Sequence, residues 1–578
     1  MAKSLLSASG ERKILVLVLA FAGISGALVL YPTDQSLKYA PVQSVEAIDN
    51  ITVFAALMTL WAGILLALIS QVRNAKVVGA TLAVAFVLLY LGFWPVHRPY
   101  GMYEEWAKLS DSVAIQAHGS IPQEKVRYLQ WPAVAILGAT LSDVSGVEPA
   151  DLRLAILLAN QAALALTLFA LLSKILASIP LAVLGVILAT VANSHLAMYH
   201  VHPALLALPL LAGFLLMCAQ WEEPGKNTVG SRFVAIILGA GMTMMHFVTS
   251  MVPFLLLSAW YILRRRSGGG VQRPVNMSTL ALFLLMPAAW LMYWATAGFN
   301  MLTEELWRSV QAGLQESVWY ILRVGEANVS PAPFWASVTR LGWLVGLYGL
   351  GVLLSCWAIL KGRKAPPRLV WVSGGVLGLV ALALIATALS TGGNQFYRFI
   401  TYSSFFAAPV ILLWMTQSRL GAKAISVLGL LVVLSMAPTF LANNTRVSDM
   451  AYYPWEVAVA KFLREALPRT STTLYDPAVS WNVVVYQLPS IRLATPVHAI
   501  VLSKEFPIFT DIVEQNSRHF MTRRSQSEDA VYLLTDKFET YYGHWWGIER
   551  ATQVKLAVQS ILAGADVIYD GGRSRVYR

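Results

Sequence analysis

Gly101-Met102-Tyr103-Glu104-Glu105-Trp106 sets two adjacent carboxylates just beyond an apolar run, and Gly119 and then Trp131-Pro132 follow. Ionised groups beside hydrocarbon are costly, so acids at such a place are paired, solvated or used in chemistry. The surrounding composition fixes the class. The chain has 578 residues, of which 57% are hydrophobic and 13% charged. Apolar runs of ~20 residues, the length that crosses a bilayer, recur along it. They predict about thirteen helices near 13–31, 51–70, 77–94, 152–173, 175–192, 203–220, 232–246, 249–263, 277–297, 341–360, 369–390, 399–416 and 424–441. The pair at 232–263 reads either as two short spans or as one long broken element, with His246 at its middle. The first run follows Lys3, Arg12 and Lys13 but no clear small-residue cleavage site, so it reads as a retained helix rather than a secretory signal.

The net charge of +12 sits mostly in short segments between apolar runs, which excludes a nucleic-acid-binding face. It also orients the chain, because short cytoplasmic loops hold Lys and Arg. With the N-terminus inside, the inside loops carry Arg73 and Lys76, Lys174, Lys226 and Arg232, Arg264-Arg265-Arg266, Lys361 to Arg368, and Arg419 with Lys423. The outside segments carry Glu104, Glu105, Asp111, Glu304, Glu305, Glu316 and Glu326. An odd number of spans leaves the C-terminus outside. Cys218 and Cys356 lie in apolar runs and are expected to be buried free thiols.

The sequence divides at about residue 441. Residues 1–441 form a transmembrane domain with two long outer loops, 95–151 and 298–340, and residues 442–578 form a charge-richer tail. The tail alternates in Thr473–Asp476, Asn482–Tyr486 and Ala530–Leu534, and it ends as a strand, a Gly571-Gly572 turn and a second strand. Helical period fills 552–562. A small extracytoplasmic α/β or α+β domain is expected, without a dinucleotide or phosphate-loop glycine pattern.

In the first long loop, Trp106, Leu109, Val113 and Ala117 make one stripe of a helix that begins at the carboxylate pair. Trp131 to Val144 is apolar but too short to span, so an interfacial helix fits it. Acids also favour helix N-termini through the macrodipole, and that reading explains the pair without chemistry. His97 and Arg98 precede the acids. Arg398, just after Tyr397, opens a late span, where an Arg either binds phosphate or anchors the helix at the interface. His246 is a buried neutral ring or a group reaching the same outer region. Arg323 stands in the second loop among Trp307, Tyr320 and Trp335, aromatics that suit either sugar faces or the interfacial belt. His200 and His202 make an HxH pair, weak as a metal site because no third ligand is near.

The order of outer-loop acids, helix, Gly119, Trp131-Pro132 and interfacial helix resembles the first external loop of GT-C glycosyltransferases. That family includes protein mannosyltransferases, aminoarabinose transferases and oligosaccharyltransferase catalytic subunits. In the family the acidic loop normally follows the first span, and here it follows the third. The resemblance implies a sugar moved from a polyprenyl- or dolichyl-phosphate donor to a lipid-linked glycan, a surface polymer or a protein, at the outer face of the plasma membrane. It implies Glu104 or Glu105 as general base with Asp111 third. It implies Arg398, with His246, Arg323, His97, Arg98 and Tyr397, toward the donor. Family members work with or without a divalent cation such as Mg or Mn, so the cofactor stays open. His544-Trp545-Trp546-Gly547 lacks the acid that follows the Trp pair in oligosaccharyltransferases, so peptide recognition is not transferred. Two rivals remain. A polysaccharide ligase or polymerase of similar build would rely on an Arg/His pair in its largest outer loop. A transporter or flippase of lipid-linked precursors would place ionisable groups within its spans.

Overall fold

The computed structural model describes residues 74–97, parts of 109–121, 131–149, 151–191, 202–221, 228–267, 277–295, 334–361, 365–389, 394–417, 423–432, 472–475, 530–535, 548–570, 574–577 and a few single positions. The expected runs 13–31 and 51–70, the strand at 482–486 and most of the second long loop lie outside the described residues. Two compact units emerge. One comprises 1–96, 130–133 and 153–446, and the other 97–129, 134–152 and 447–578. The first long loop is thus grouped with the tail.

The first unit is helical. Its described helices are α1 Ala75–His97, α3 Arg153–Leu176, α4 Ile179–Val191, α5 Pro203–Trp221, α6 Val229–Met245, α7 Phe247–Ser267, α8 Met277–Tyr293, α9 Phe334–Lys361, α10 Pro367–Leu389, α11 Asn394–Gln417 and α12 Lys423–Val432. The second unit holds α2, Ala133–Ser145, which starts at the unit boundary. Among the described residues, α3 and α5 are each long and apolar enough to cross a bilayer. Several helices turn apolar side chains outward in rows. Val229, Phe233 and Ile237 on α6, and Val345, Leu353 and Leu360 on α9, are each more than half exposed. Rows of this kind suit lipid rather than water, since soluble surfaces seldom carry contiguous apolar patches.

The helix boundaries differ from the expected runs in informative places. α1 continues through Pro95 to His97, a residue expected in the loop. α9 starts at Phe334, so Trp335 and Arg340 are helical rather than loop residues. The run at 175–192 starts later, because Ala177 takes a left-handed φ of 52° and ends α3. Cys218 is buried as expected, but Cys356 is exposed. It sits on the outward side of α9 beside the exposed Trp357, so apolar context alone does not bury it.

Small residues let the helices close up, as is usual where lipid supplies no hydrophobic drive between helices. A Cβ on Gly375 of α10 would stand 2.6 Å from the Phe406 ring of α11. That ring is flanked by Trp260 and Trp371, which stack at 4.6 Å while the Trp260 indole donates to the Trp371 carbonyl at 3.0 Å. Asn160 of α3 donates to the Leu205 carbonyl of α5 at 3.3 Å. That carbonyl lies four residues before Pro209, which has no N–H to offer it. At the N-terminus of α6, Thr228 and Ser231 form a reciprocal capping box, and the Trp221 indole adds a 3.0 Å bond to Ser231.

In the second unit, β1 Thr472–Tyr475, β2 Ala530–Thr535, β3 Val567–Asp570 and β4 Ser574–Tyr577 form one sheet in the order β1-β2-β4-β3. β1 runs parallel to β2, and the other neighbours are antiparallel. α13, Ile548–Leu562, connects β2 to β3 and buries Val558 and Leu562. Gly571 and Gly572 lie outside the described residues, and the strands read on either side of them, β3 and β4, form an antiparallel pair. On it, the Arg575 guanidinium sits 3.1 Å from Asp570, and hydrogen bonding to Tyr577 and the Asp570 charge hold it in its charged form more firmly than usual. Both partners are about half exposed, so the pair adds little to stability.

Candidate functional site

Two histidines that sequence reading kept apart come together in the first unit. His202 precedes α5 and His246 separates α6 from α7, and their ring centroids are 6.2 Å apart. Each is the N-cap of the helix that follows it. The His202 carbonyl accepts from Leu206 at 3.0 Å, and its Nδ1 accepts from the Ala204 amide at 3.1 Å. Pro203 fills the first helical position, where a missing N–H costs nothing. The His246 carbonyl accepts from Ser250 at 3.1 Å and its Nδ1 from the Thr249 amide at 3.3 Å. His246 itself is extended (φ −158°, ψ 121°), and its own amide closes the last turn of α6 on Met242 at 2.8 Å. The doubtful element is therefore broken at one residue, His246.

A ring nitrogen that accepts an amide N–H carries no proton, so in the neutral ring the proton is on Nε2. A neutral imidazole that ligates a metal through Nε2 must hold its proton on Nδ1, usually donated to a partner. The engaged Nδ1 of His202 therefore suits a metal poorly. Among the described residues, no group of three or more His, Cys, Asp or Glu could hold a metal ion. His200 lies outside the described residues.

The histidine cluster extends to α11 and to the Trp131-Pro132 step. The Thr249 hydroxyl is 2.9 Å from His246 Nδ1 and 2.8 Å from the Tyr402 hydroxyl. Thr249 and Tyr402 are buried. Tyr397 and Arg398 lie early in α11, and the Arg398 backbone stands one turn before Tyr402. The Phe247 ring is 6.4 Å from Trp131, whose indole N–H is shielded from solvent and meets no acceptor among the described residues. Sequence reading passed over Thr249, Tyr402 and Arg153. Arg153 opens α3 and is only 4% exposed, so a charge at the first residue of an apolar run was the available signal.

In the second unit, Leu109, Asp111, Ser112, Val113, Ile115 and Gln116 are helical. Asp111 is 8% exposed. Of the expected stripe, Leu109 is buried and Val113 partly covered, while Trp106 and Ala117 lie outside the described residues; Asp111 and Ser112 are buried as well. The segment packs closely on α2, where a Cβ at Gly138 would collide with the Ser112 hydroxyl. Gln116 locks the pairing by donating to Ser142 at 2.9 Å and Asp143 at 2.7 Å. α2 itself matches the segment read as a short apolar helix. Glu104, Glu105, Arg98 and Arg323 lie outside the described residues, and His97 is the last residue of α1.

The sequence matches no protein-family model and no curated protein. Its fold does have a counterpart among solved structures. The archaeal oligosaccharyltransferase AglB from Archaeoglobus fulgidus, in complex with an inhibitory peptide and a dolichol-phosphate, matches over 88% of this chain and 75% of its own, at 12% identity and a TM-score of 0.53. The fold is GT-C. The structure of ArnT from Cupriavidus metallidurans in the apo state covers 83% of this chain and 93% of its own, with 13% identity and a TM-score of 0.38. At 12% identity the likeness to the oligosaccharyltransferase is one of fold. That fold is polytopic, helical and membrane-embedded, and the composition and outward apolar rows of this chain suit it.

Proposed function

We propose that this protein is a membrane glycosyltransferase that moves one sugar from a polyprenyl- or dolichyl-phosphate donor to an acceptor hydroxyl or amide at the extracytoplasmic face. The observation that carries the reading is the match to the oligosaccharyltransferase over most of both chains, with an acid pair in the first long loop as its chemical counterpart. In this reaction the acceptor attacks the anomeric carbon, and the bond from that carbon to the phosphate oxygen breaks with its electron pair leaving on phosphate. Glu104 or Glu105 takes the acceptor's proton. Arg398, early in α11, meets the charge that develops on the phosphate. The Trp131 indole and the His246 ring supply neutral N–H donors suited to phosphate or sugar oxygens. The thirteen-span layout, with the N-terminus cytoplasmic and the tail outside, is part of this proposal and places the acids on the outer side.

The test is transfer from a labelled polyprenyl-phosphate sugar by the purified protein in lipid. Glu104→Gln or Glu105→Gln is expected to lower the rate at least about a hundredfold while the protein still inserts and binds donor. Full activity in both single variants and in the double variant would remove the base assignment. Transport of the donor across vesicles without any transfer would favour the flippase reading instead.

A further inference from the structure

One backbone amide orders the hydrogens of a three-residue relay. Thr249 is the third residue of α7, and its amide points at His246 Nδ1 from 3.3 Å. An amide has no lone pair to receive a proton from the ring, so that nitrogen can only accept. The Thr249 hydroxyl is 2.9 Å from the same nitrogen; sharing its lone pair with the amide, the hydroxyl would donate to Nδ1, and its oxygen would accept from Tyr402 at 2.8 Å. The order this gives is Tyr402 to Thr249 to His246, with the proton of the neutral ring on Nε2. Thr249 is fully buried and Tyr402 is 2% exposed, so water does not compete for these bonds.

We propose that Thr249 is a positioning residue, which holds His246 as a neutral Nε2–H donor and ties it through Tyr402 to the helix that carries Arg398. The relay couples two elements far apart in sequence, the break between α6 and α7 and the early turns of α11. A valine at 249 would keep the helix and the amide but remove the hydroxyl that serves both neighbours. The role in donor binding rests on the glycosyl-transfer reading, whereas the tautomer does not.

The experiment uses the full chain in lipid nanodiscs with ¹⁵N-labelled histidine at neutral pH, the His246 signals being identified by their loss in His246→Asn. The wild-type ring is expected to show a hydrogen-bonded, unprotonated Nδ1 and a protonated Nε2. Thr249→Val should move the Nδ1 signal toward that of an unbonded nitrogen and admit the other tautomer, and Thr249→Ser should restore the wild-type pattern. Tyr402→Phe should leave the tautomer unchanged, because the Thr249 hydroxyl still donates to Nδ1. Unchanged His246 signals in Thr249→Val, or a proton on Nδ1 in Tyr402→Phe, would overturn the relay. Thr249→Ala serves if the valine variant does not fold. The readout needs no sugar transfer, so it stands or falls apart from the enzymatic reading. In the transfer assay, Thr249→Val is expected to raise the donor KM about tenfold with kcat within about twofold, as loss of one oriented donor would. A loss confined to kcat would overturn the role in donor positioning.

Discussion

Asn160 shows how one side chain can repair a helix interior. Pro209 removes an N–H from α5 and strands the Leu205 carbonyl, and the Asn160 amide reaches across from α3 to accept the role. In hydrocarbon an unpaired carbonyl has no water to turn to. Asn160→Leu is therefore expected to destabilise the protein by about 1–3 kcal/mol, read from thermal unfolding in detergent. In a Pro209→Ala background the new amide closes the Leu205 bond within α5, so the same substitution should cost much less. Equal costs in both backgrounds would show that Asn160 stabilises by other contacts. The partnership was invisible to sequence reading, which saw a polar residue in one run and a proline in another with nothing to say they face each other.

At the scale of elements, contact between α10 and α11 depends on the absence of a side chain. Phe406 cannot retreat from Gly375, because Trp260 and Trp371 close around it. Gly375→Ala should lower stability by about 1–3 kcal/mol through overpacking despite its better helix propensity. Gly378→Ala, whose methyl would meet Ala259 at 3.4 Å, should be neutral or mildly stabilising. A parallel thermal-unfolding series decides, and equal midpoints for the two variants would contradict the packing argument. Elements were legible where one force dominates. Apolar length gave α3 and α5, alternation gave β2, a strand reading on both sides of Gly571-Gly572 gave β3 and β4, and a short apolar run gave α2. They were illegible where a single contact decides. Ser112 packs against Gly138 where no sequence signal pairs them, and Ala177 breaks a run by backbone conformation alone. The candidate site was half legible for the same reason. His246 and Arg398 stand out as charge or imidazole in apolar sequence, but Thr249 and Tyr402 look like ordinary span residues until their hydroxyls are seen to meet.

For the whole molecule, the division into units departs from the order of the sequence. The first long loop was read as part of the transmembrane domain, yet residues 97–129 and 134–152 are grouped with 447–578. If the tail supports that loop, a chain truncated after residue 446 should still insert but exchange amide hydrogens at least about tenfold faster across 109–116 and 131–145. Exchange in α3 and α5 should not change. Unaltered protection of the loop would show that it holds its structure through Gln116, Ser112 and Gly138 alone.

The break at His246 also governs how substitutions there will be read in any mutational scan. The residue supplies a side-chain cap to α7 as well as a ring to its surroundings. His246→Ala removes both at once, so a lost phenotype would not distinguish misfolding from missing chemistry. Asn and Asp are strong N-caps that carry no imidazole. Tolerance of Asn or Asp, but not Ala, at position 246 would mark the residue as architectural, whereas uniform intolerance would mark the ring itself as indispensable.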